Sequence, residues 1–309
     1  MNMALLRLLE SLRGPFLDQA ASLITRLGEE TFFMLAAFVI VWCPDKKWGF
    51  RLLFTGMAGT VLNQLLKAVF LVPRPWVLDP QFTIVESARA GATGYSFPSG
   101  HTQSAATVFG MIAAWRKRAG VTAACVALTL LVAFSRMYLG VHTPLDVGVS
   151  LLTGTLCVIG FTCLFECLDQ NRRGKMAVGL AAVVFAIVLV CYITFAPAGP
   201  RNIAQFDAHG VKNAWTCLGA MSGLCLSWWL DDRYLHFDTK AVWWAQLLKV
   251  TLGIAAAMAV RTGLKPLLSW LLGDAPVSHA IRYFCMALTA GALWPLTFRF
   301  FGRLGQKKA

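Results

Sequence analysis

The sequence predicts an all-α fold, a polytopic transmembrane helical bundle of about nine spans with its chemically suggestive residues in the N-terminal half. Three observations predict it. Of 309 residues, 57% are hydrophobic and 14% charged, with a mean hydropathy of +0.62, against roughly 25% charged in a soluble domain. The apolar residues fall into runs close to the roughly 20 residues that cross a hydrocarbon core. Finally, the basic residues sit in short clusters between those runs. A water-soluble enzyme is excluded. So is a disordered or collagen-like chain, because 26 Gly and 12 Pro show no period.

In chain order, the opening segment sets Leu5, Leu6, Leu8, Leu9 and Leu12 against Arg7, Glu10 and Arg13. That pattern predicts an amphipathic interfacial segment over 1–27 rather than a signal peptide, since no small-residue cleavage site follows an apolar core. Spans are then expected at 28–44, 51–72, 98–115, 120–140, 145–167, 176–196, 211–230, 243–270 and 279–298. The first is the weakest, because Glu30 and Asp45 bound a short uncharged stretch. The chain divides into the N-terminal segment, a core over 28–171 that holds every suggestive constellation, and additional helices over 172–309.

The formal charge of +13 does not indicate nucleic acid. Lys46, Lys47 and Arg51, then Arg116, Lys117 and Arg118, then Arg172, Arg173 and Lys175, and finally Arg299, Arg303, Lys307 and Lys308 punctuate the apolar runs. Loops with that bias stay cytoplasmic. Span parity then puts the C-terminus inside, and the loops at 73–97, 135–146, 197–210 and 271–278 outside. The nine cysteines form no C-x-x-C pair. Cys163 and Cys167 share a helix face, but two sulfurs make no zinc site.

Three segments carry chemistry, all on the expected outer side. Lys67 and Arg74 are seven residues apart, so on a continuing helix they would converge on one face, with Pro73 and Pro75 ending it. On their own they read equally well as snorkelling cations. In Phe97-Pro98-Ser99-Gly100-His101, a proline-led helix start offers free N–H groups to an anion. Gly100 lets an oxyanion approach the backbone, Ser99 adds a hydroxyl, and His101 can deliver a proton near neutral pH. In the third segment, Ser135 to Asp146, Thr143 can cap a helix with Pro144 in its first turn. Asp146 stands four residues after His142, near enough to hold its tautomer and leave the other ring nitrogen as a nucleophile.

Together these segments resemble the type 2 phosphatidic acid phosphatase superfamily, whose signature is K-x6-R-P, P-S-G-H and S-R-x5-H-x3-D. The matching residues are Lys67, Arg74 and Pro75; Pro98, Ser99, Gly100 and His101; and Ser135, Arg136, His142 and Asp146. The resemblance implies that Lys67, Arg74, Ser99, Gly100 and Arg136 bind phosphate. His142 would attack phosphorus, Asp146 would orient its ring, and His101 would protonate the leaving group and then activate water. It implies no metal and no other cofactor. The expected activity is hydrolysis of a lipid or isoprenyl (di)phosphate at the outer face of the cell membrane, with substrate and bilayer as the partners. A glucose-6-phosphatase-like hydrolase and a catalytically silent lipid-binding or transport relative are the alternatives. The loop from Trp76 to Ser96 suits a lid at headgroup level, and the polar stretch from Arg201 to Lys212 reads either as a second cap or as a solvated loop. Arg261 and Lys265 face either a polar cavity or headgroups.

Overall fold

The computed structural model describes residues 3–196 and 202–304. Lys307, Lys308 and Arg201 lie outside the described residues. Among the described residues the regular structure is helical throughout, without a strand.

Two short helices open the chain, α1 (Ala4–Ser11) and α2 (Pro15–Thr25). There follow α3 (Glu30–Trp42), α4 (Lys46–Phe70) and a single turn, α5 (Pro75–Leu78). After a long connection come α6 (Gly100–Arg116), α7 (Ala119–Tyr138), α8 (Pro144–Cys167), α9 (Arg172–Phe195) and α10 (Ala204–Leu230). The chain closes with α11 (Trp243–Leu272), α12 (Val277–Leu288) and α13 (Phe298–Arg303).

Among the described residues, six stretches are long and apolar enough to cross a membrane: Lys46–Leu78, Ala119–Tyr138, Pro144–Cys167, Arg172–Phe195, Trp243–Leu272 and Val277–Arg303. The other three expected spans are helices that miss that standard. α3 has only 13 residues. α6 has 17 residues, and its first turns hold His101, Thr102, Gln103, Ser104 and Thr107. α10 is long, but it begins with Gln205, Asp207, His209 and Lys212. α3 falls short on length and α6 and α10 on apolar character, so the count of nine is not reached among the described residues.

The chain forms two compact units, one of Met1–Phe33, Ala58–Cys163 and Ile193–Val211, the other of Met34–Met57, Leu164–Tyr192 and Lys212–Ala309. In the first, α6 packs along α7, and α2 packs on α7 as well. α1 and α2 also fasten the connection that follows α5. Leu6 joins Phe82 and Ile84 in one buried cluster, while Ala21 joins Ala88, Ala92, Tyr138 and Leu139 in another. Arg7 pairs with Asp79 at 2.6 Å, and Arg13 donates to the Thr83 carbonyl at 2.8 Å. The stretch expected as a lid, 76–96, is thus braced by the two opening helices. In the second unit, rings dominate: Trp228 meets Phe50, Phe54 and Phe165 at centroid distances of 5.9, 5.9 and 5.3 Å.

Candidate active site

The site gathers at one set of helix ends: the last turns of α4 and α7 and the first turns of α6 and α8. α4 ends at Phe70, so Lys67 and Arg74 do not share a continuous helical face as the spacing predicts. Leu71, at φ 48°, turns the chain instead, and the two cations meet on one run of backbone. Lys67 Nζ donates to the Tyr95 carbonyl at 2.6 Å. Arg74 Nε donates to the Gly94 carbonyl at 2.9 Å and Nη2 to that of Thr93 at 3.0 Å. Gly94 has φ +70°, and a Cβ there would stand 3.2 Å from the His209 ring. Only glycine fits that turn comfortably.

Ser99 caps α6, and its hydroxyl oxygen accepts from the Thr102 hydroxyl at 3.0 Å. The Ser99 amide donates to the Asp146 carbonyl at 3.2 Å, which ties the second motif to the third. Gly100 opens the helix beside free space: a Cβ there would find only Asn63 Oδ1 within 4 Å, at 3.8 Å. His101 is half-buried in the first turn of α6. It lies within electrostatic range of Lys67, Arg74, Arg136 and His142.

His142 and Asp146 are each 1% exposed, at the turn into α8. Thr143 and Asp146 cap that helix reciprocally: the Thr143 amide donates to Asp146 Oδ2 at 2.8 Å, and the Asp146 amide to Thr143 Oγ1 at 3.2 Å. Asp146 Oδ2 also accepts the Ser96 hydroxyl at 2.6 Å and lies 3.5 Å from His142 Nδ1. On the far side of the ring, Arg74 Nη1 lies 2.9 Å from Nε2. A guanidinium only donates, so the network assigns the lone pair to Nε2 and the proton to Nδ1. That is the tautomer a nucleophile needs. Burial first, and then the charges of Arg74, Arg136 and Lys67, hold His142 well below the usual histidine value.

Arg136 is the least contented member. It is 1% exposed and its Nη1 donates to Thr25 Oγ1 at 2.9 Å. Its Nε and Nη2 are buried with no partner among the described residues. Buried cationic donors left unmatched carry a large desolvation cost, and an anion with several oxygens would relieve it.

All eight sequence-predicted residues therefore fall together. Sequence reasoning missed those that hold them. Ser96 and Thr25 gave no signal, because hydroxyl residues are common in loops and caps. The segment 93–95 acts largely through carbonyls, which every residue has. The polar stretch after residue 201 touches this brace: Tyr95 Oη donates to Asp207 Oδ1 at 2.7 Å and accepts from the Ile203 amide at 2.9 Å. His209 Nε2 lies 2.9 Å from Thr93 Oγ1. Burial, and secondarily Asp207, pushes the Tyr95 phenol up to about 12. That stretch buttresses the cradle from behind. In the second unit, Arg261 stacks on Tyr283 with 5.1 Å to the ring centroid, and Arg282 Nε donates to the Arg261 carbonyl at 3.1 Å.

Fold and site define a multi-pass helical membrane protein with a buried cationic pocket around a carboxylate-held histidine. Residues 48–169 match the family model described as PAP2 superfamily, and 215–307 match that described as PAP2 superfamily phosphatase, transmembrane extension. The chain belongs to the PAP2 superfamily. It is 29% identical over 239 residues to a probable sphingosine-1-phosphate phosphatase of Dictyostelium discoideum, covering 73% of this chain and 57% of the relative. It is 36% identical over 107 residues to an undecaprenyl-diphosphatase of Bacillus subtilis, covering 35% of this chain and 51% of the relative. A phosphatidylglycerophosphatase B of Bacillus subtilis is 31% identical over 151 residues, covering 44% and 69%. The chain spans just over half the length of the first two. No solved structure gives a significant match.

Proposed function

We propose that this protein is an integral-membrane phosphatase that hydrolyses a lipid or isoprenyl (di)phosphate at the non-cytoplasmic face, through a phosphohistidine and without metal. The observation that carries the reading is Arg136, whose Nε and Nη2 are buried without partners among the described residues beside a neutral, correctly tautomerised histidine. Lys67, Arg74, Arg136, the Ser99 hydroxyl and the Gly100 amide bind the phosphate oxygens. Arg74 turns its N–H from Nε2 to phosphate and frees the lone pair. His142 Nε2 then attacks phosphorus, and the P–O bond to the leaving group breaks as His101 protonates it. Asp146, steadied by Ser96 and Thr143, holds the proton at Nδ1 and stabilises the charge that develops on the ring. Water, deprotonated by His101, next attacks phosphorus and breaks the P–N bond. Fixed cations at a dry site supply the charge stabilisation.

The names of the relatives favour a phosphate borne on a long apolar tail. The placement of basic residues at helix ends supports the outward face: Lys46, Lys47 and Arg51 start α4, Arg116 to Arg118 join α6 to α7, and Arg172, Arg173 and Lys175 start α9, while the site lies at the other ends of α4, α6, α7 and α8. Residues 1–27 would lie at headgroup level, with Leu8, Leu12 and Phe16 exposed there at 59, 56 and 80%. Phosphate release from a panel of lipid phosphates, an isoprenyl diphosphate and glucose 6-phosphate, in detergent with excess chelator, tests the activity. Lipid substrates should turn over with chelator present. Strict dependence on Mg²⁺, or turnover of the sugar phosphate alone, would contradict the reading. For the face, Ala90→Cys in a cysteine-free background should react with an impermeant maleimide on intact cells, and Lys117→Cys only after permeabilisation.

A further inference from the structure

A buried amide that belongs to none of the three motifs faces the same pocket. Asn63 stands one turn before Lys67 on α4 and is 2% exposed. Its Nδ2 donates to Gln103 Oε1 at 2.7 Å, and Gln103 Nε2 donates to the Gly59 carbonyl at 2.7 Å. This clasp joins the helix of Lys67 to the helix of Gly100 and His101. It also fixes both amides. The Gly59 carbonyl can only accept, so Gln103 must present its nitrogen there and its oxygen to Asn63. Gly59 permits the approach, since a Cβ would stand 3.2 Å from Gln103 Nε2. Asn63 Oδ1 is thereby turned away from the clasp and toward Gly100, 3.8 Å from where a Cβ would be. In the first unit it is the buried side-chain acceptor left without a partner among the described residues.

The groups around it are mainly donors. Lys67 comes from α4 and Arg74 from the segment after it. Ser99 and His101 come from the start of α6, Arg136 from α7 and His142 from the turn before α8. Of the acids, Asp146 spends Oδ2 on Ser96 and Thr143, and Glu29 acts on Arg136. A hydrogen carried by the bound phosphate has Asn63 Oδ1 to receive it.

We propose that Asn63 is a specificity-determining residue of this site: its Oδ1 accepts the hydrogen of a singly protonated phosphate, so the pocket selects the monoanionic form of the terminal phosphate. The proposal rests on the phosphatase reading above. The probe is inorganic phosphate as a competitive inhibitor of the full chain in detergent, measured from well below to well above its own second ionisation, which lies higher than the step at about pH 6 in phosphate esters. Wild type should bind phosphate less tightly as the dianion forms. Asn63→Ala should weaken phosphate about tenfold on the acid side, the worth of one buried hydrogen bond, and match wild type on the alkaline side. Gln103→Leu breaks the clasp but leaves Oδ1, and should weaken phosphate by one factor at every pH. Taking the ratio of variant to wild type cancels the titration of His101 and His142.

The same factor at every pH for Asn63→Ala, or no weakening, would overturn the proposal. Should that variant not fold, the phosphorus resonance of phosphate bound to wild type decides. It should keep the singly protonated shift on the alkaline side of the free ionisation, and a dianion shift there overturns the proposal. Wild type that binds no phosphate at all would remove the phosphatase reading itself, a different and recognisable failure.

Discussion

The two compact units treat buried charge in opposite ways. In the second, charges are matched within the protein. Lys46 pairs with Asp231 at 3.0 Å, and Arg51 donates to the Phe165 carbonyl at 3.1 Å and pairs with Asp169 at 3.4 Å. Lys249, 1% exposed, donates to the Thr239 carbonyl at 2.8 Å and lies 4.4 Å from the centre of the Phe298 ring. In the first, Arg136 keeps two guanidinium donors unmatched among the described residues, and Arg74 points one at a histidine. Matched charges stabilise a fold, whereas donors left without protein partners at a shared site give up stability in favour of anion binding. Mutations should divide along the same line.

The largest effect is expected at His142, the proposed nucleophile. His142→Ala should lower turnover by a factor on the order of 10⁴ or more, while the protein stays monodisperse and keeps its melting temperature. Next comes the direct test of the contrast. Arg136→Gln should lower kcat/KM by about 10²–10³, the worth of one preorganised oxyanion donor, and leave thermal stability equal or raised. Asp231→Ala should do the reverse, costing about 1–3 kcal/mol because Lys46 loses its carboxylate partner and the Phe237 amide its acceptor at a largely buried site, with kcat/KM of the folded fraction unchanged. If Arg136→Gln destabilises and Asp231→Ala inactivates, the contrast is broken.

The sequence carried the chemistry of the site better than its support. Lys67, Arg74, Ser99, Gly100, His101, Arg136, His142 and Asp146 were legible because their types and intervals are what a phosphate cage and an oriented histidine require. Ser96 was not, although it gives Asp146 a 2.6 Å hydrogen bond, because nothing local marks one serine in a loop of 21 residues over 76–96. The amphipathic pattern of α1 and α2 showed an apolar face, and not that Leu6 would bury against Phe82 or that Thr25 would hold Arg136. Span counting suffered from the site itself. The polar first turns of α6 that place Ser99, Gly100 and His101 are the residues that lower its apolar character.

Two smaller effects sharpen the account. Ser96→Ala should lower kcat about tenfold, the worth of one hydrogen bond to a charged group, with KM little changed, since Ser96 steadies Asp146 and touches no phosphate oxygen. The pH dependence follows from His142. Its folded value lies below the ordinary 6.5, so the neutral nucleophile persists as pH falls past 6.5, and the acid limb of kcat/KM should lie below that value. The unfolded chain takes up this proton first, so the melting temperature should fall as pH drops below 6.5 toward the folded value. An acid limb above 6.5 that vanishes in no histidine variant would place the controlling group elsewhere.

The central claim, a histidine nucleophile inside an anion cage, is tested most directly by trapping. Wild-type protein mixed briefly with radiolabelled lipid phosphate and quenched in alkali should carry label that survives base and is lost in acid, as a phosphohistidine does. Peptide mapping should put it on His142. The label should vanish in His142→Ala and accumulate in His101→Ala, where attack on phosphorus outlasts the loss of the water-activating base. Label on any other residue, or turnover that continues in His142→Ala, would contradict the account.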